Sequence, residues 1–167
     1  MISHHTMYDR ILVPTDGSVE VERAVEHALD LARSHDAAIR TVYVVNAANY
    51  GGLPMETAWD GIGDALRDEG SAAVERVEEL IAERAPDLVV ETTVREGSPS
   101  RVIVEEAQTS DCDLVVMGTH GRGGIDRLLL GSVTERVVRT SPIPVLTVRV
   151  GTQSATESKR EPIARVD

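Results

Sequence analysis

Short apolar stretches rich in β-branched residues alternate along this chain with longer stretches in which apolar residues recur at helical spacing. Stretches of the first kind are typical of buried strands, and those of the second kind of helices with one apolar face. Strands that alternate with helices are joined by right-handed crossovers into a parallel sheet covered on both faces. The sequence therefore predicts one α/β domain with a doubly wound, five-stranded parallel sheet. Strands are predicted at residues 10–14, 38–45, 88–94, 114–117 and 145–150, and helices at about 19–32, 61–85, 99–107 and 132–139.

Two serines mark predicted helix starts. Ser18 is followed by Glu20 and Glu22, which suits an N-cap whose first helical turn carries acidic side chains. Ser98 is followed by Pro99, and proline is favoured at the first helical position because its φ angle is already helical. We expect each serine to cap its helix.

The ends of the chain and one internal stretch lack these periodic patterns. We expect residues 1–6 to be an N-terminal extension, residues 7–150 the folded domain, and the polar residues 151–167 a disordered tail. Residues 46–60 are predicted to be a loop. A chain of 167 residues can bury roughly 70% of the surface that its unfolded form exposes, so it needs neither a metal nor a disulfide to fold.

The cysteine content and the length of the apolar runs indicate the cellular compartment of the protein. Cys112 is the only cysteine, so no disulfide or zinc framework is available, and we expect a reduced, inert thiol because no cation is adjacent to it in sequence. The apolar runs are far shorter than the roughly 20 residues of a membrane-spanning helix, and residues 1–7 do not resemble a signal peptide. The sequence predicts a soluble, cytoplasmic protein with no membrane partner.

The charge balance is strongly acidic. The formal net charge is -11, and Lys159 is the only lysine among 17 basic residues. An acidic, lysine-poor surface stays hydrated in concentrated salt, which also screens its self-repulsion, so we favour a halophilic protein over an ordinary acidic cytosolic one. Nucleic acid is disfavoured as a partner because no basic patch is available to neutralise phosphates.

The predicted fold places a ligand beyond the carboxyl ends of the strands, where the strand order reverses. The loops after strands one and four also have unusual sequences, one with Asp16 and one rich in glycine from Gly118 to Gly131. Asp16 suits a carboxylate that binds ribose hydroxyls or a metal-phosphate group, although an Asx turn is an equally common use. His120 could donate to a phosphate, but a lone loop histidine is more often solvated, and we assign it no catalytic role.

The end of the glycine-rich loop predicts an anion site. Glycines allow close approach of a ligand to the backbone, and the helix start at Gly131, Ser132 and Val133 offers unpaired N–H groups at the positive end of the helix dipole. On spacing alone, the glycines could equally serve only as turns and a helix cap. Taken singly, Met117 and Val133 suit core positions better than ligand contacts.

Several other nucleotide and catalytic motifs are absent from the sequence. No lysine is available for a G-x-x-x-x-G-K-[ST] loop, and no G-x-G-x-x-G motif is completed. The chain also lacks a G-x-S-x-G elbow, an H-E-x-x-H helix and a calcium-binding loop. We assign no catalytic residue and no metal ligand.

The stretch from Met117 through the loop to the last predicted strand closely resembles the universal stress protein family. In the nucleotide-binding branch of that family, the signature is glycine, two residues, glycine, nine residues, glycine, then serine or threonine. Gly118, Gly121, Gly131 and Ser132 match it. The first strand with its aspartate resembles the family as well, and the similarity covers about residues 7–149.

This resemblance implies a Rossmann-like sheet with strand order 3-2-1-4-5, related to adenine nucleotide hydrolases, and a residue set for an adenine nucleotide. Asp16 would contact the ribose, the backbone of Val44 would meet adenine, and Gly131, Ser132 and Val133 would hold phosphates. The resemblance implies further contacts directly before Asp16 and from the end of the fourth strand into the glycine-rich loop. They are Pro14, Thr15, Met117, Gly118, Gly121 and Arg122.

The resemblance also implies a function. We expect a stress-response regulator that binds ATP with Mg, hydrolyses it slowly at most, acts on a signalling partner that the sequence does not identify, and forms a homodimer through the strand that begins at Val145 and ends at Val150. Only Asp16, His120 and Arg122 are available to assist hydrolysis. The alternative is a nucleotide-free interaction protein of the same fold. An adenylating enzyme would need a serine-glycine-glycine loop after the first strand, which is absent here.

Overall fold

The computed structural model describes residues 7–46, 59–120 and 130–149. Five strands and four helices alternate along these residues. The strands are β1 (Arg10–Thr15), β2 (Ala38–Val45), β3 (Val90–Glu96), β4 (Leu114–Gly118) and β5 (Val145–Val148), and the helices are α1 (Val21–His35), α2 (Trp59–Arg84), α3 (Pro99–Thr109) and α4 (Ser132–Thr140).

The five strands form one parallel sheet in the order β3-β2-β1-β4-β5. The predicted fold class, strand order and parallel direction are therefore confirmed. β1 lies at the centre, and the chain builds the sheet outward first on one side of β1 and then on the other. The reversal point lies between β1 and β4.

Each face of the sheet is covered by its own apolar layer. Ile11 and Val13 of β1 pack in a cluster with residues of α1 and α2. Leu12, the residue between them, packs in a second cluster with residues of α3 and α4. This alternation is the side-chain period of a strand buried on both faces.

The structure shifts some predicted boundaries. β3 begins at Val90 and ends at Glu96, two residues later than the predicted 88–94, because Leu88 belongs to a turn in which its N–H donates to the carbonyl of Ala85. α2 begins at Trp59 instead of residue 61. Residues 47–58 of the predicted loop, and the predicted extension and tail, lie outside the described residues.

The prediction that Ser18 caps α1 is wrong. The helix begins at Val21, its N-cap residue is Glu20, and the cap has no side-chain hydrogen bond. The hydroxyl of Ser18 donates to Asp16 instead. Ser98 does precede α3 with Pro99 in the first turn, as predicted, but its side chain makes no cap hydrogen bond.

In the part of the chain that the structure describes, no helix combines the length and the apolar character needed to cross a membrane.

Candidate functional site

A crevice opens at the carboxyl end of the sheet, between β1 and β4. β1 pairs with β2 as far as Thr15 opposite Tyr43, and β4 pairs with β5 as far as Gly118 opposite Val148. The registered pairs between β1 and β4 themselves end earlier, at Leu12 opposite Val115. This is the reversal point at which doubly wound sheets bind ligands.

Pro14 explains why the pairing of β1 with β4 stops. The N–H groups of Val115 and Thr119 donate toward β5, to Pro144 and Val148, so alternate residues such as Val116 turn their backbone groups toward β1. The next bond of the ladder would need an N–H at position 14 donating to Val116. Proline has none, and it is therefore normally excluded from central strands.

The crevice encloses about 350 Å³, within the usual size range of ligand pockets. Every predicted ligand residue that the structure describes lines it. These are Pro14, Thr15, Asp16, Val44, Met117, Gly118, Gly131, Ser132 and Val133. Gly121 and Arg122 lie outside the described residues. The structure therefore brings together residues from four parts of the chain, namely the end of β1, β2, the end of β4 and the start of α4.

The loop after β1 is braced by its own side chains. Oδ1 of Asp16 accepts hydrogen bonds from the N–H of Ser18 at 2.9 Å and from its hydroxyl at 2.5 Å, while the hydroxyl oxygen of Thr15 accepts the N–H of Gly17 at 3.1 Å. Gly17 has a φ of 78°, a left-handed conformation that favours glycine. The Asx turn considered for Asp16 is present, and it fixes a carboxylate that also lines the crevice.

The first turn of α4 faces the crevice. Gly131 is its N-cap residue, and the first backbone bond inside the helix runs from the N–H of Glu135 to the carbonyl of Gly131 at 2.9 Å. The N–H groups of Ser132, Val133 and Thr134 precede that bond, so they have no acceptor within the helix. Such groups form an anion site at the positive end of the helix dipole.

The opposite end of the crevice is apolar. Val44 is the last residue but one of β2, and β2 lies between β1 and β3 in the sheet. Ile39 and Val45 make backbone bonds toward β3, so Val44 turns its carbonyl toward the side of β1, beyond the last registered pair of Thr15 with Tyr43. A backbone acceptor beside apolar walls suits the edge and faces of a planar heterocycle.

Sequence reasoning missed part of this lining. The missed residues are Val21, Val42, Tyr43, Pro99, Ile103 and Thr134. Val42 could have been inferred, because it lies two residues before Val44 on the same strand face. The contribution of α3 gave no local signal, because it depends on how that helix packs across the sheet.

Among the lining residues that the structure describes, Asp16 is the one that carries a formal charge. His120 adds an imidazole whose Nδ1 lies 3.0 Å from the hydroxyl oxygen of Thr119. Within residues 7–46, 59–120 and 130–149, no three His, Cys, Asp or Glu side chains are grouped to hold a metal ion. In this part of the crevice, an anion would therefore be held by backbone N–H groups and hydroxyls.

Cys112 lies away from the crevice, buried in the α3 and α4 cluster. Burial raises the pKa of its thiol to about 11, although the charges of Arg10 and Arg40 act to lower it. Two cations are therefore near the thiol in space, contrary to the reasoning from neighbouring residues in the sequence. Burial outweighs them, and the thiol remains protonated at neutral pH, as an inert cysteine should.

Comparison with known proteins gives a consistent result across most of the chain. The model of the universal stress protein family matches residues 7–149. The universal stress protein MJ0531 of Methanocaldococcus jannaschii is 40% identical over 143 residues, which cover 86% of this chain and 83% of that protein.

Solved structures show the same similarity. The structure of hypothetical protein MJ0577 is 27% identical to this chain with a TM-score of 0.78, covering 87% of this chain and 99% of that one. A universal stress protein in complex with cAMP is 28% identical with a TM-score of 0.66, and the match covers 87% of this chain and 99% of that one.

Proposed function

This chain belongs to the universal stress protein family, and from that premise we propose that it binds ATP, with Mg, in the crevice between β1 and β4 and acts as a nucleotide-dependent regulator of a stress response. The observation that carries the proposal is the gathering of the described ligand residues around one cavity of about 350 Å³. A related structure of this family in complex with cAMP supports the adenine nucleotide class.

The residues around the cavity fit a nucleotide from end to end. The apolar walls and the Val44 carbonyl would receive adenine, and Asp16, held by Ser18, would accept hydrogen bonds from the ribose hydroxyls. The N–H groups at the start of α4 would hold phosphate oxygens. Gly121 and Arg122 belong to the same proposed set. ATP carries a negatively charged triphosphate, which the N–H groups at the positive end of a helix dipole would bind.

The proposed role is regulation, with slow hydrolysis at most. Rapid phosphoryl transfer needs an oriented water and a cation at the leaving phosphate. Among the described lining residues, Asp16, Tyr43 and His120 are the titratable groups, and Asp16 already accepts two hydrogen bonds from Ser18. We therefore propose that a signalling partner distinguishes the nucleotide-bound form of the protein from the nucleotide-free form, and that this difference regulates the response.

Calorimetric titration of ATP with magnesium into the native protein tests this proposal. We expect saturable binding of one nucleotide per chain, in about 1 M KCl to suit the acidic composition, with AMP and cAMP competing for the same site. A folded native protein that takes up none of these nucleotides would refute the proposal and favour the nucleotide-free interaction protein.

We also propose that β5 joins two copies of the chain into a homodimer. β5 is the outer strand on its side of the sheet, and Leu146 on it is 38% exposed, with the exposed Val138 on α4. An outer strand with exposed apolar side chains is stable in solution when it is covered. In sedimentation velocity, the native chain should behave as a dimer and the Leu146→Asp variant as a monomer. A native chain that sediments as a monomer would contradict the interface.

A further inference from the structure

The carbonyl of Gly118 points into the crevice, and one side chain bonds to it. Since Val115 and Thr119 donate their N–H groups toward β5, Gly118 turns its own backbone groups toward β1, beyond the last registered pair of β1 with β4. The hydroxyl of Thr134 donates to this carbonyl oxygen at 2.9 Å. The carbonyl is thus satisfied by a helix instead of a neighbouring strand.

Thr134 holds the start of α4 at a fixed place. It lies in the first turn of the helix, only 3% exposed, directly beyond Ser132 and Val133. A second bond reinforces the first, because the N–H of Gly131 donates to the carbonyl of Thr119 at 2.7 Å. The helix start is therefore tied to the end of β4 by one side-chain bond and one backbone bond.

We propose that Thr134 is a positioning residue for the phosphate end of the crevice, an inference that rests on the proposed nucleotide binding. The bond to Gly118 aims the N–H groups of Ser132 and Val133 into the crevice. It also occupies the oxygen of Gly118, whose partial negative charge would otherwise face the phosphate. Neither effect involves the adenine or the ribose.

The proposal therefore separates two kinds of ligand. AMP carries the phosphate that the start of α4 would bind, whereas adenosine has the same base and sugar without it. Removal of the Thr134 hydroxyl should weaken the binding of AMP and leave that of adenosine nearly unchanged. A purely structural role for Thr134 would alter both ligands alike or neither.

The experiment compares AMP and adenosine by calorimetry in the native protein and in Thr134→Val, which keeps the shape of the side chain without its hydroxyl. We expect the Kd of AMP to rise about tenfold and that of adenosine by less than about twofold. Thr134→Ser, which keeps the hydroxyl, should retain most of the affinity for AMP. Thr134→Ala repeats the test if the valine variant does not fold.

Thr140→Val is the matched control. Thr140 lies in the same helix at its far end, is exposed, and donates its hydroxyl to the carbonyl of Arg136 at 2.7 Å. Its replacement should leave both ligands unaffected.

The outcomes distinguish this inference from the proposed function. If the native protein binds both ligands and Thr134→Val loses both equally, or loses neither, then the positioning role is refuted and nucleotide binding stands. If the native protein binds none of ATP, AMP and adenosine, the proposed function fails and this inference fails with it. If it binds ATP but neither smaller ligand, the phosphate that AMP carries is not held at the start of α4, and this inference alone is refuted.

Discussion

Replacement of Gly131 by aspartate is expected to weaken ATP binding by about a hundredfold or more while the fold is retained. Gly131 is the N-cap residue of α4, with φ -58° and ψ 150°, angles that other residues adopt readily. Aspartate is a favoured N-cap residue, so the helix should lose no stability. Its carboxylate would accept the N–H groups proposed to hold phosphate, and it would repel the nucleotide's own charge.

Two controls separate the effect of the aspartate's charge from the effect of its size. Gly131→Asn places a side chain of nearly the same size there without a charge, and it should reduce the affinity for ATP far less than Gly131→Asp. Adenosine, which has no phosphate, should bind Gly131→Asp almost as well as it binds the native protein. If calorimetry shows that Gly131→Asp binds ATP with native affinity, the phosphates do not lie at the start of α4.

The second large effect is expected at Glu106, a carboxylate that is only 1% exposed. Its Oε1 accepts the Nε–H of Arg40 at 2.6 Å, and its Oε2 accepts an Nη1–H of Arg95 at 2.7 Å. Burial acts to lower the pKa of Arg40, but the hydrogen bonds and charges of Glu106 and Glu91 outweigh it, and the pKa is raised. This cluster ties α3 to β2 and β3.

Glu106→Ala should lower the free energy of unfolding by about 3 kcal/mol, because it leaves two guanidinium groups without their shared acceptor. The value is at the lower end for a buried ion pair, since Arg95 is partly exposed and Arg40 keeps Glu91 at 2.8 Å. In a protein of this length, that loss corresponds to a fall in Tm of about 6–12 °C.

Glu105→Ala is the matched control for this change. Glu105 is the adjacent residue on the same helix, but its side chain is exposed. Its loss should change the free energy of unfolding by less than about 0.5 kcal/mol. Chemical denaturation of both variants decides the matter, and equal stabilities would show that the cluster around Glu106 contributes nothing net.

The fold class was predictable from the sequence because its signals are local, whereas the strand order was implied by the family resemblance. Each buried strand is a short β-branched run, and the alternation with helices permits few topologies. The ends of strands and helices are harder to predict where a turn adjoins them. Leu88 was predicted to begin β3, but it belongs to a turn. Ser18 was misassigned because an N-cap and an Asx-turn donor have the same local sequence.

The candidate site was predictable only where residues follow one another in the chain. Asp16 and the glycine-rich loop stand next to strand ends, so their convergence follows from the fold. Thr134 and the apolar wall from α3 depend on packing between elements. The sequence carries a usable signal for Glu106, which lies at helical spacing from Val102 and Ile103 on the buried face, but its partners come from other strands.

The site of nucleotide binding is the central claim, and NMR titration of the isotopically labelled native protein with ATP and magnesium tests it most directly. We expect the largest shifts in the backbone N–H signals of Ser132, Val133 and Thr134, with a second group at the end of β2 around Val44, all saturating together. If saturating ATP leaves these signals unmoved in the folded protein, or moves a set of residues elsewhere on the sheet, the crevice between β1 and β4 is not the nucleotide site.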